Sequence, residues 1–546
     1  MKLLAGVLCG FSVCCVLVAQ EHAAHSRTHS VVLVSGLSDL HHPVSTRNPE
    51  AQKFFDQGLR FIYAFNHDEA ARSFRHAAEL DPELAMAYWG VAEAVGPNYN
   101  DPADPARYKE AHDAIQKATD LSAAISPAEQ AYIAAMARRF PADANSDLKK
   151  AAEDYRDAMR DVVRQFPDDL DAATLFAEAG MNLHPWTLWH PDGTPEVGTE
   201  EIVATLESVL KRDPNHLGAI HYYIHSVEAS QNPGRALAFA PRLPDLAPAA
   251  GHLVHMPAHI YIRTGDYAGA VKTNEKAAEA DRAYMRASGA QGMYPLMYYS
   301  HNLHFIAFSS AMNGNYLEAR RNAELLHANV APHAKEMPPV EAFMTIPLMV
   351  DVRFHRWEEI LKSSEPDASL KTANLFWHFA RGEALAATGK KDAADSEYKV
   401  VTDTIANLPP DLPFGTLNMA KDVMKVAQNI LAARIALARK DSASAITSLQ
   451  SAVGAQDALN YDEPPDWFYP VRESLGAALL MTGDAPGAEK VFREDLDRNP
   501  RNPRSLWGLR QALLKQKRNY DAGFVQKQFE ASWSKGAPSL KLDDLM

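Results

Sequence analysis

The chain has 546 residues, 47% of them hydrophobic and 23% charged, which is too long for one compact core and too apolar for a disordered polymer. Lysine and arginine total 55 against 69 aspartates and glutamates, a net charge of −14. That balance argues against a surface built to neutralise phosphates, so a nucleic-acid partner is not expected.

Residues 1–19 place one cation, Lys2, ahead of an unbroken, mostly apolar run. This pattern predicts a secretory signal peptide, with a single N-terminal membrane anchor as the alternative. Cys9, Cys14 and Cys15 all lie in it, and they are the chain's three cysteines. Once it is removed, the mature chain would carry no disulfide, no thiolate ligand and no membrane span, and any metal would be held by nitrogen and oxygen donors. A secreted or periplasmic location follows. Residues 20–48 are polar, contain His22, His25, His29, His41 and His42, and read as a flexible lead-in.

From residue 51 the sequence repeats itself. In the window 51–84, Gly58 falls at position 8, Ala70 at 20, Phe74 at 24, Ala77 at 27 and Pro82 at 32. The window 469–502 repeats this with Gly476, Ala488, Phe492 and Pro500, and places Gly483-Asp484 where one helix must stop and the next begin. Degraded copies start at 85, 170, 217, 251, 300, 341, 375, 426 and 503, those at 341 and 503 being the weakest.

On these residues the chain resembles the tetratricopeptide repeat (TPR) family, whose unit is a helix-turn-helix of about 34 residues. Stretches such as AMAYWGVAEAVGPNYN, HMPAHIYIRTGDY and DEPPDWFYPVRESLGAALL are also similar to a group of bacterial secreted TPR proteins. The resemblance implies an all-α, right-handed superhelical solenoid and names no activity, since one fold hosts many functions. The expected layout is N-terminal repeats over 49–168, central repeats over 169–333, C-terminal repeats over 334–536 and a tail over 537–546.

The central repeats hold the chemistry. NLHPWTLWHPDGTPEVGT, residues 182–199, interrupts the period and reads either as a lid over the groove or as a packed surface loop. Positions 2, 5 and 9 of the first helix in a TPR unit share one stripe. By resemblance to the family that stripe faces the concave groove. Three consecutive windows place His221, His225, His252, His255, His259, His301 and His304 in these slots, with Gly218 and Phe308 as the exceptions. A solvated face would be built of lysine and glutamate instead.

Neutral imidazoles converging from adjacent helices suit a divalent transition metal, Zn, Cu or Fe. Glu178, at position 9 of the preceding window, and Glu228, one turn beyond His225, stand near enough in register to ligate, to orient an imidazole or to act as a general base. The leading expectation is therefore a histidine-built metal site, with catalysis left open. A protein- or peptide-binding scaffold without metal, the usual role of the family, and a purely structural histidine ladder are the alternatives.

Overall fold

The structure is a computed structural model and describes residues 31–142 and 146–546. The expected signal peptide, its cysteines and residues 20–30 of the expected lead-in lie outside the described residues. The chain divides into two compact units. The first runs to Ile260 and takes back Glu279–Gly292, and the second comprises Tyr261–Ala278 and Met293–Met546. No helix among the described residues is long and apolar enough to cross a membrane.

The first unit is built of antiparallel helix pairs: Pro49–Ile62 with His67–Leu80, Ala85–Val95 with Pro105–Leu121, Pro127–Arg139 with Leu148–Gln165, and Leu170–Met181 with Thr199–Arg212. The repeat consensus acts through packing. A Cβ placed on Gly58 would lie 2.6 Å from the Phe74 ring, and one on Gly90, a repeat later, would also clash with it. This repeat thus drives a phenylalanine between two glycines on successive first helices.

Two departures follow from proline. Leu217–Val227 is followed by single turns at Pro233–Ala238, Ala240–Arg242 and Leu243–Leu246 rather than by a second full helix. Pro233, Pro241, Pro244 and Pro248 supply no amide hydrogens to sustain one. The histidine stretch, expected as one helix, is divided into Gly251–His255 and Pro257–Thr264, because Pro257 cannot donate back to the preceding turn.

Residues 31–48 correct the expectation of a flexible lead-in. The Gln57 side chain accepts from the Val34 amide at 2.7 Å, Arg60 donates to the Leu40 carbonyl, and the Ala249 amide donates to the Gly36 carbonyl at 3.0 Å. The strap ends on His42, whose Nδ1 lies 2.8 Å from Asp171.

The second unit repeats the same grammar. Ser300–Met312 pairs with Tyr316–Val330, Lys371–Ala387 with Lys391–Asn407, Ala420–Ala438 with Ser442–Asp457, Val471–Met481 with Ala485–Arg498, and Pro503–Lys515 with Asn519–Ser532. Phe492 wedges between Gly476 and Gly508 as Phe74 does in the first unit, and a Cβ on Gly476 would sit 2.5 Å from its ring. Gly483, at φ 91°, makes the interhelix turn, and Asp484 then caps the next helix by accepting from the Gly487 amide at 2.9 Å. A cap of this kind stabilises a helix by about 1 kcal/mol. The weak window at 341 forms only short pieces, Pro338–Thr345, Ile346–Arg353 and Trp357–Lys362. A two-stranded hairpin, Pro413–Phe414 with Asn418–Met419, lies outside the repeat pattern.

Candidate metal centre

Five of the seven predicted histidines and Glu228 come together in the first unit. Leu217–Val227 carries His221 and His225, with Glu228 as its C-cap. Gly251–His255 carries His252 and His255, and His259 follows within Pro257–Thr264. The stripe expected to face an open groove is buried instead: His221 and His255 are 0% exposed, His259 1%, His225 and Glu228 2%, and His252 6%.

The hydrogen bonds fix the proton on two of these rings. His221 Nδ1 lies 2.7 Å from the Tyr63 carbonyl. A carbonyl only accepts, so Nδ1 carries the hydrogen and Nε2 keeps its lone pair. Glu228 does the same for His225, with one oxygen 3.0 Å from His225 Nδ1, and its other oxygen lies 2.8 Å from His259 Nδ1 as an ion-pair contact. His221 and His225 therefore keep their lone pairs on Nε2. His252 Nε2 faces His221 Nε2 at 3.1 Å, and the buried His225 Nε2 has no hydrogen-bond partner. One nitrogen each from His221, His225 and His252 lies within 4.8 Å of the other two. His255 Nε2 meets His259 Nε2 at 2.7 Å, a direct hydrogen-bond length.

Electrostatics agree with neutral rings around one carboxylate. Burial pushes His221 and His252 well below the ordinary imidazole value, and neighbouring imidazoles push them further. Burial also lowers His225, against the pull of Glu228. Burial alone would raise the Glu228 carboxyl, but His259 and His225 outweigh it and hold it down at about 2.

Phe65 and Tyr99, which sequence reasoning did not assign, enclose the rings together with Trp186 of the insertion. Phe65 lies 4.4 Å from the His221 ring and stacks at 5.6 Å on both His225 and His252. Tyr99 packs 5.3 Å and Trp186 5.7 Å from His225. Phe65 and Trp186 hold φ of 53° and 61°, a left-handed conformation that bulky side chains rarely take. Trp186 belongs to the insertion, which docks on the histidine helix as the Trp189 indole donates to the Ser226 carbonyl at 2.8 Å. Trp186 is half-buried, so the insertion covers His225 with a side chain that still meets solvent.

Glu178 is 2% exposed, accepts from Asn182, and has its second oxygen unpartnered. Burial and the nearby Glu93 carboxylate push its carboxyl up to about 8, against the Arg139 charge. Arg139 pairs with Glu93 at 2.9 Å. His301 and His304 belong to the second unit. His301 packs edge-on against Phe305 at 4.9 Å, and His304 lies against Phe343 and Phe468, where burial pushes it down to about 3. Of the two slots lacking histidine, Gly218 faces the Tyr63 ring, which a Cβ would strike, and Phe308 packs on Phe468 at 5.8 Å.

The chain is built of tetratricopeptide-type helix pairs. No family model matches it, and no curated protein does. Among solved structures, it is similar to the TPR domain of P58(IPK), with 12% identity over 86% of this chain and 99% of that one and a TM-score of 0.21. It is likewise similar to human IFIT1 in complex with PPP-AAAA, with 12% identity over 87% and 88% and a TM-score of 0.33. Yeast Tom70 aligns with 11% identity over 89% and 100% and a TM-score of 0.30. At these values the similarities say nothing of what the chain binds.

Proposed function

We propose that this TPR-type chain holds a divalent transition metal ion, Zn, Cu or Fe, at the Nε2 atoms of His221, His225 and His252. The observation that carries the reading is His225 Nε2, a buried nitrogen with no hydrogen-bond partner, on a ring that offers one nitrogen within 4.8 Å of one each from His221 and His252. A histidine ladder would satisfy that atom with a hydrogen; a metal satisfies it with a bond. The 3.1 Å between His221 and His252 Nε2 is close to the roughly 3.3 Å that two nitrogens take on one tetrahedral metal. The Tyr63 carbonyl and Glu228 orient the ligand rings by their Nδ1 hydrogens, the outer-partner arrangement that metal-bound histidines use.

A three-nitrogen set leaves a coordination position open, and an ion bound there would act as a Lewis acid or a redox centre according to its identity. Phe65, Tyr99 and Trp186 keep the site dry and restrict entry to the Trp186 side. Export through the segment 1–19 is part of the same proposal, because it accounts for a donor set free of thiolate.

Elemental analysis of full-length protein purified without an affinity tag tests the reading. Close to one metal per chain is expected, lost in His225→Ala and retained in His378→Ala, whose ring is held by Glu397 at 2.6 Å. Wild-type protein that carries no stoichiometric metal and gains no thermal stability from Zn, Cu or Fe would falsify it.

A further inference from the structure

The last residues of the chain are held in a way that the repeats alone do not require. After the final helix, Asn519–Ser532, the chain leaves the repeat pattern. It turns back at Trp533, whose ring packs against Gly314, while the Ser534 amide donates to the Asn313 carbonyl at 2.9 Å. It ends in a single turn, Leu542–Leu545.

Three consecutive main-chain oxygens of this turn are gripped by side chains of the repeats. Arg504 donates to the Asp544 carbonyl at 2.5 Å, and the Ser474 hydroxyl donates to the Leu545 carbonyl at 2.8 Å. Arg434 and His355 both donate to the Met546 oxygen, at 2.5 and 2.9 Å. The Leu545 side chain is 2% exposed, sunk among Ala477, Leu480, Leu506 and Leu509. The grip therefore reads backbone plus one apolar anchor, the two elements by which an extended ligand is recognised.

The gripping residues have the character of a binding surface. Arg434 stands at position 9 of the window from 426 and Arg504 at position 2 of the window from 503, the slots that in the central windows hold histidine. Arg504 is 4% exposed, its Nε has no partner, and its remaining bonds go to the carbonyls of Asp544 and Arg353. Burial and the neighbouring Arg353 push its guanidinium down to about 10, so it stays charged at neutral pH. Arg504 lies over the Phe354 ring at 5.5 Å, with the charges of Glu473 and of the tail's own Asp544 favouring its cationic form, while Arg434 is paired with Glu383 at 2.9 Å; the tail thus brings an acidic pair, Asp543 and Asp544, to Arg504 next to its leucine anchor.

We propose that Ser474, Arg504, Arg434 and His355 form a peptide-binding slot in the second unit, occupied in cis by Leu542–Met546 and open in trans to a peptide that places an acidic pair before a leucine. The tail is then a tethered competitor, present at an effective concentration on the order of 1 mM.

The probe is a fluorescein-labelled synthetic peptide with the sequence of residues 537–546, titrated against full-length protein by fluorescence anisotropy. Wild type binds it weakly because the slot is filled. Leu545→Asp, which expels the tail, binds it at least tenfold more tightly, and adding His355→Ala or Arg434→Gln to that variant removes at least tenfold of the gain. Leu545→Ala carries the same test if Leu545→Asp does not fold, as judged by its circular dichroism melt. Folded tail variants that bind the probe no better than wild type would overturn the proposal. So would binding indifferent to His355 and Arg434.

Discussion

Replacing Glu228 by glutamine keeps the shape of a side chain that is 2% exposed and changes what it can accept. The carboxylate takes the Nδ1 hydrogen of His225 at 3.0 Å, and its other oxygen lies 2.8 Å from His259 Nδ1. An amide has one accepting oxygen and one donating nitrogen, so one of the two rings meets a donor in place of a carboxylate oxygen. Were it His225, its hydrogen would move to Nε2 and close that lone pair. The loss of an outer partner of a metal-bound histidine lowers affinity about 10- to 100-fold, which is about 1.4–2.7 kcal/mol of binding. Glu228→Gln should therefore load metal at saturating concentrations and lose it to a competing chelator 10- to 100-fold sooner than wild type. A chelator titration followed by elemental analysis reads this directly. Unchanged affinity in a folded Glu228→Gln protein would refute the tautomer argument, and with it the assignment of His225 Nε2 as a ligand.

Two further predictions concern pH. Burial and Glu93 raise Glu178 to about 8, so the native state keeps a proton that the unfolded chain releases near 4.5. This contribution weakens stability as pH rises from about 4.5 to 8; Glu178→Gln should remove the decline and gain on the order of 3 kcal/mol over wild type at pH 8 but little at pH 4.5, measured by urea unfolding. Burial lowers His42, but its hydrogen bond to Asp171 and the charges of Asp171, Asp169 and Asp56 more than offset this, leaving it raised. Its contribution is complete below about 6.5 and fades as pH rises through the folded value; His42→Gln should lose about 1.5–3 kcal/mol at pH 6 and show a flatter profile above it, and an unchanged slope between pH 6 and 8 would count against the pairing.

The repeat register was legible in the sequence because the packing rule behind it is local. Phe74 needs glycine on the helices to either side, and Gly58 and Gly90 stand on successive first helices. The same register put His221, His225, His252, His255 and His259 in one place, since helical spacing alone fixes a stripe. What it could not give was the environment of that stripe. Phe65 and Tyr63 come from a repeat more than 150 positions away, and their packing on His221 and Gly218 is a long-range contact that no periodicity encodes. Phe65 carried a weak local signal, in that it sits directly before the Asn66 cap where the chain must turn sharply, but nothing in that turn says what its ring will cover. The Gly218 exception shows the same limit from the other side. Read alone it is a gap in the histidine pattern, whereas in the structure it is where the Tyr63 ring lies, on the residue whose carbonyl sets the His221 tautomer. The ligand candidates were thus readable as a pattern of slots. Glu228 was readable too, one turn from the His225 ring it orients, but the burial of the rings and the tautomer of His221 were not, because both depend on a segment brought in from the far end of the first unit.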